Sequence, residues 1–301
     1  MVSFIDCHLS LRRCSPFNGG KFEGWGTSFC WWPNRIGYLD ELSEQAAKLF
    51  FDPKEGLGLN IIRYNIGGGD DPTHHHITRT DSMVPGYAIN PSHDANGYHW
   101  SYDWNADQNQ RNVLMKVAEC YGKDLIVEGF SNSPPYFMTN SGCSSGSVNA
   151  GENNLREDAY GAFASYLADV AQHFSKEWGI HFQSMTAMNE PDTEYWHALS
   201  DKQEGCHFDP GESQSVMIIA LREALDERGL NDILISGTDE TGIDCQINSI
   251  NSLSEVARET IARIDTHSYL EGDNEGLRKL AQSYYKSLWM SEGDGGDTSE
   301  F

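Results

Sequence analysis

Two glutamates stand where this sequence could do chemistry. Glu190 sits in Thr186-Ala187-Met188-Asn189-Glu190-Pro191, and Glu292 in Leu288-Trp289-Met290-Ser291-Glu292-Gly293. Each closes a short apolar run of strand character and is followed at once by Pro or Gly, where a strand ends. Two carboxylates at the C-terminal ends of two strands are what retaining glycoside hydrolysis requires. One protonates the departing oxygen, and the other attacks the anomeric carbon from about 5–5.5 Å away. The plainer alternative makes both of them surface acids of an acidic protein. Asn-Glu-Pro directly after an apolar strand argues against it, because Asn189 can hold a sugar hydroxyl while Pro191 turns the backbone.

The elements that must position this pair alternate between strand and helix. The pattern predicts strands over residues 22–29, 59–66, 125–130, 182–188, 233–236, 261–266 and 287–290. Residues 59–66 are near-continuously apolar, as a parallel strand buried on both faces should be. Helices are expected over 39–51, 105–121, 155–178, 209–228, 247–259 and 275–284, and residues 67–102 read as a long loop. The clearest helical period is Ala159, Phe163, Tyr166, Leu167, Val170, Ala171 and Phe174, with Asn154 as cap and Glu157 completing a capping box. Asp209-Pro210 reads as the cap and first position of the next helix, which Gly229 ends.

Seven strands alternating with helices predict a (β/α)8 barrel rather than a doubly wound open sheet. Candidate functional residues recur at the C-terminal ends of the second, third, fourth, sixth and seventh strands, where barrel enzymes place them. No Gly-x-Gly-x-x-Gly turn follows the first strand, and Gly67-Gly68-Gly69 opens no helix, so it is a loop and not a phosphate cradle.

Composition narrows the partners. Of 301 residues, 39% are hydrophobic and 22% charged, and 45 acidic against 21 basic residues give a formal net charge of -24. Such a surface repels nucleic-acid phosphates and anionic membranes and leaves a neutral polymer almost untouched. No run of eighteen apolar residues exists, so no membrane insertion is expected. Asp6 and His8 interrupt the N-terminal apolar stretch, and Arg12 and Arg13 follow rather than precede it. That is no secretory leader: the chain reads as cytoplasmic, or as one without its leader. Seven scattered cysteines without a Cys-x-x-Cys pair are expected to be reduced thiols. In an oxidising setting Cys7 and Cys14 could pair.

These residues resemble glycoside hydrolase family 30, over about Phe22 to Gly293. The resemblance implies a clan in which the acid/base follows Asn on strand four and the nucleophile ends strand seven, so Glu190 is expected as acid/base and Glu292 as nucleophile. Between them the chain has room for two further β/α units, as that pattern requires. The resemblance further implies that Arg63, ending strand two, helps to hold the nucleophile ionised. Asp70 corresponds to an Asp that binds sugar hydroxyls in glucosylceramidase-like members. His267-Ser268-Tyr269 resembles the segment that brings a Tyr near the nucleophile, with His267 equally open to a structural role. Ser131, in Ser131-Asn132-Ser133-Pro134-Pro135-Tyr136, stands where glucosylceramidases carry a bulky Trp, which leaves room for a different sugar. Three stretches look most like the endo-β-1,6-galactanase group: 23–32, 67–74 and 202–208. β-Xylan, β-1,6-glucan, β-glucosides and β-fucosides are the alternative substrates. Family members are often secreted.

Other features are weighed against plainer readings. His74-His75-His76 invites a metal, but consecutive histidines cannot all face one ion without a favourable loop, and no companion carboxylate-His spacing is apparent. The expectation is no metal and no cofactor. Trp25, Tyr136 and Trp196 lie near loops and are candidate sugar platforms, although any one aromatic is more often core. Residues 1–21 read as a lead-in segment and 22–301 as a barrel that stops nine residues after Glu292, without strand eight or the family's β-sandwich side domain. The expectation is therefore a truncated chain, poorly stable alone, with an open edge through which copies could associate. A carbohydrate-binding or inert remnant is the rival to an active enzyme.

Overall fold

The computed structural model describes residues 22–293. Seven strands form one sheet: β1 Gly26–Ser28, β2 Ile61–Asn65, β3 Ile126–Phe130, β4 Ser184–Thr186, β5 Leu234–Gly242, β6 Ile261–Leu270 and β7 Ser287–Glu292. They pair in chain order, and every pair is parallel. The helices are α1 Trp32–Ile36, α2 Asp40–Phe51, α3 Gln108–Tyr121, α4 Tyr160–Glu177, α5 Glu212–Glu227, α6 Ile243–Ser252, α7 Glu255–Thr260 and α8 Asn274–Ser283. A doubly wound sheet would reverse its order part-way, and this order never reverses. The sheet curls into a nearly closed barrel, far enough that the Trp289 indole of β7 donates to the Glu23 carboxylate just ahead of β1. A cleft of ≈ 590 Å³ lies between these two strands.

Strand alternation sorts the residues. Ile62, Tyr64, Val127, Met185, Ile235 and Ile264 pack in the apolar core with Phe51, Val113, Leu114, Phe163, Leu167, Phe174 and Leu221 of the helices. Each such side chain contributes roughly 1.5–3 kcal/mol by leaving water. The interleaved residues face the barrel interior, where buried ions such as Arg63, Glu128 and Arg263 lie beside the rings of Phe130 and Trp289. From β6, Arg263 donates across to Glu128 of β3, to Ser184 of β4 at 3.0 Å and to Asp265 at 2.6 Å. Strands β3 and β6 are not sheet neighbours, so the first contact runs through the interior. Glu128 also accepts from Ser184 and Ser236.

Several local expectations are corrected. Helix α4 opens at Tyr160 and not at 155, because Asn154 accepts from the Ser141 N–H at 3.1 Å and donates to the Cys143 carbonyl at 3.2 Å, stapling a loop instead of capping a helix. Asp209 does not cap α5: Gly211 holds that place with φ 97°, while Asp209 accepts from Asn153 at 2.5 Å and faces His207 at 3.1 Å. The expected loop 67–102 contains an antiparallel hairpin, Ala88–Asp94 with Gly97–Tyr102, turned at Gly97 with φ 108°. The expected helix over 247–259 is two, because Ser254 accepts from the Ala257 N–H at 3.2 Å and starts α7 afresh. Strands β5 and β6 run well past residues 236 and 266, and these extensions carry Asp239 and His267.

The Cys7–Cys14 pairing and the lead-in 1–21 fall outside the described residues. Cys30, Cys120, Cys143, Cys206 and Cys245 are free thiols. Among the described residues no helix is long and apolar enough to cross a membrane.

Candidate active site

The C-terminal rim of the barrel brings both glutamates to one cavity of ≈ 250 Å³, lined by Cys30, Trp31, Asn132, Asn189, Glu190, Gln203, Tyr269 and Glu292. Glu190 follows β4 with φ 49°, a left-handed conformation that side chains other than glycine rarely adopt and that costs about 1–3 kcal/mol. Three hydrogen bonds hold it there. Its N–H donates to the Asp239 carbonyl at 2.8 Å, and its own carbonyl accepts from Thr193 Oγ1 at 2.9 Å and Trp196 Nε1 at 3.1 Å. The carboxylate accepts from Tyr195 at 2.6 Å and meets His267 Nδ1 at 3.1 Å. Burial, together with the neighbouring Glu190 charge, pushes the Tyr195 hydroxyl up, so it remains a donor.

Glu292 ends β7, with both oxygens engaged. Arg63 Nη1 donates to Oε2 at 2.5 Å and Tyr269 donates to Oε1 at 2.9 Å. Arg63 comes from β2 and is buried, its guanidinium 3.5 Å over the Phe130 ring. Its other amino group donates to Asn189 Oδ1 at 2.6 Å and to Asp239. Because the Asn189 oxygen is taken, its NH₂ is the group left for the cavity.

Asp239, fully buried on β5, joins the two halves. It accepts from Arg63 and Ser291, and His267 Nε2 lies 3.2 Å from Oδ1. Burial would raise its carboxyl, but Arg63 and His267 outweigh that and hold it well below the usual carboxylate range. Burial would likewise depress the His267 imidazole. Asp239 first, then the hydrogen bond to Glu190, overrides that and lifts it to about 9. The charged imidazolium is thereby favoured, and it sits between the carboxyl groups of Asp239 and Glu190.

Not every expected contact reaches the cavity. Arg63, Asn189, His267 and Tyr269 gather around the glutamates. Trp25 is exposed and lines the cleft between β1 and β7. Tyr136 and Asp70 line a separate cleft of ≈ 700 Å³, and Asp70 is turned to His76 at 2.5 Å. Trp196 offers no platform: it is buried, and its ring lies so close to Gly205 that an added Cβ there would sit 2.1 Å from it. Ser131 is buried as well, donating to the Ile66 carbonyl at 2.9 Å. Sequence reasoning missed Asp239, Tyr195 and Gln203. The signal for Asp239 was Gly237-Thr238-Asp239-Glu240, which follows directly on the strand expected over 233–236.

Comparison with known proteins follows the same lines. The family model described as O-Glycosyl hydrolase family 30 matches residues 21–253. An endo-beta-1,6-galactanase of Hypocrea rufa is 37% identical over 94% of this chain, and an exo-beta-1,6-galactobiohydrolase of Bifidobacterium longum subsp. longum is 27% identical over 93% of it. The chain spans 60% of the length of the first and 24% of the second. A conserved exported protein from Bacteroides fragilis, known from its crystal structure, superimposes with a TM-score of 0.70 at 22% identity, covering 88% of this chain and 59% of that one. That last likeness concerns the fold alone.

Proposed function

This chain belongs to O-glycosyl hydrolase family 30, and from that premise we propose that it is a retaining β-glycosidase acting on β-1,6-galactan. Residues 22–301 are then its catalytic barrel and 1–21 a lead-in. One observation carries the reading: Glu190 and Glu292 line a single cavity, each held by its own donors. In the first step a Glu292 oxygen bonds to the anomeric carbon while the bond to the glycosidic oxygen breaks, and Glu190 gives that oxygen its proton. In the second, Glu190 takes a proton from water, whose oxygen displaces Glu292 and restores both carboxyl groups. Arg63 and Tyr269 hold and aim the attacking carboxylate. Tyr195 and His267 fix the acid/base, and the Asn189 NH₂ donates to a sugar hydroxyl.

The galactan assignment draws on the two galactan-active relatives. β-Xylan, β-1,6-glucan, β-glucosides and β-fucosides are the rivals to assay beside it. The net charge of -24 suits a neutral polymer better than a polyanion.

The test is covalent labelling with a mechanism-based galactose-configured probe, read by peptide mass spectrometry, alongside two variants. The adduct is expected on Glu292. Glu292→Gln should abolish turnover, and Glu190→Ala should keep partial activity on substrates with good leaving groups. A folded chain that takes no label, or undiminished hydrolysis by Glu292→Gln, would overturn the proposal.

A further inference from the structure

We propose that Asp70, His74, His76 and Cys143 form a structural zinc site on the barrel rim, outside the glutamate cavity. One ligand atom from each lies within 4.8 Å of all the others. His76 Nε2 is 3.3 Å from Cys143 Sγ, and His74 Nδ1 is 3.8 Å from the same sulfur and 3.7 Å from Asp70 Oδ1. Around zinc, with bonds of about 2.0–2.3 Å, tetrahedral corners stand roughly 3.3–3.8 Å apart. Both sulfur contacts and the Asp70 Oδ1–His74 contact have that spacing, the other ligand atoms lie within 4.8 Å of one another, and the carboxylate, whose Oδ2 is 2.5 Å from His76 Nε2, must move outward by roughly 1 Å. The loop after β2 supplies what three consecutive histidines lack on their own. His74 and His76 converge, and His75 between them is not part of the group.

The surroundings are built for a cation. His76 Nδ1 lies 2.6 Å from the Ser200 carbonyl, which can only accept, so that nitrogen carries the hydrogen and Nε2 offers its lone pair. That nitrogen is aimed at the Asp70 carboxylate, 2.5 Å away, so the two groups point at one spot. A proton would serve those two groups alone and leave the approach of His74 and Cys143 unexplained. The Cys143 sulfur is buried and accepts from the Leu199 N–H at 3.4 Å, which orients it toward the two histidines. Asp70 is steadied by the Ser144 N–H at 3.1 Å.

The donor set selects the metal. A thiolate and two imidazoles disfavour magnesium and calcium, and four protein ligands around a tetrahedral ion leave no open position, which marks a structural site. Thiolate and carboxylate together neutralise a divalent ion, and one proton leaves the Cys143 thiol on binding. The ion would tie the loop after β2 to the loop after β3. Through Ser200 it would reach the loop after β4, whose Gln203 lines the glutamate cavity.

The test uses the whole chain, purified without chelator, assayed for zinc by mass spectrometry, then stripped and titrated with cobalt(II). One zinc per chain is expected, with a thiolate-to-cobalt charge-transfer band and the visible bands of a four-coordinate ion. Cys143→Ser should lose the charge-transfer band, and it and His76→Gln should each weaken zinc binding by roughly 100-fold or more. His75→Ala should bind as the unaltered chain does. If Cys143→Ser does not fold, His74→Gln and His76→Gln give the same reading through the visible bands. A folded chain that takes up neither metal in molar excess, or Cys143 and His76 variants that bind zinc as tightly as the unaltered chain, would overturn the assignment.

Discussion

Replacing His267 by Gln should remove a defined, pH-dependent part of the stability. The imidazole is fully buried, 3.2 Å from Asp239 and 3.1 Å from Glu190, and held at about 9 against an ordinary value of 6.5. At 1.36 kcal/mol for each tenfold change, that difference amounts to roughly 3 kcal/mol in favour of the folded, charged form. The folded value lies above the unfolded one. The stabilisation is therefore fully present below pH 6.5 and is lost as pH rises through about 9. Urea unfolding of both proteins across about pH 6 to about pH 10 gives the difference directly, because every other titrating group largely cancels. The unaltered chain should lose roughly 3 kcal/mol relative to His267→Gln over that range. Parallel curves, or a difference that grows with pH, would refute a charged His267.

Three further outcomes follow from the same geometry. Tyr195→Phe deletes the 2.6 Å donor to Glu190; kcat on the best substrate should fall at least tenfold with KM little changed, and a fall in affinity alone would contradict the role given to Tyr195. Burial lifts the Glu240 carboxyl to about 7 from an ordinary 4.5, so its contribution is present below pH 4.5 and lost as pH rises through about 7. Glu240→Gln should flatten the stability profile over that window, as thermal melts at several pH values would record. Gly205→Ala would press a Cβ to within 2.1 Å of the Trp196 ring, and overpacking of that kind costs about 1–3 kcal/mol in denaturant melts.

The barrel and its two glutamates were legible because their signals are local. An apolar run, an Asn-Glu-Pro and a Ser-Glu-Gly each announce the end of a strand. Arg63 was legible through the family resemblance, which keeps an Arg at the end of the second strand. Asp239 was not, because β5 continues through Gly237-Thr238-Asp239-Glu240-Thr241, where Gly, Asp and Glu disfavour a strand that the sheet holds through its ladder to β6. Trp196 and Asp70 turn away from the glutamate cavity for a different reason. Spacing along the chain says which residues lie near the rim but not which way loop side chains turn, and that is decided by partners such as Gly205 and His76. Ligand spacing along the histidine run cannot reveal Cys143, which approaches from another loop.

The groups around the glutamates come from β2, β4, β5, β6 and β7 and meet only across the barrel axis. No hairpin or single β/α unit holds even half of them. A chain wound as far as β5 would already show most of its helical dichroism and bury much of its aromatic surface, yet would hold Arg63 without its acceptor on the last strand. Catalytic output would then count completed molecules alone, a stricter census than any spectroscopic probe of helix content.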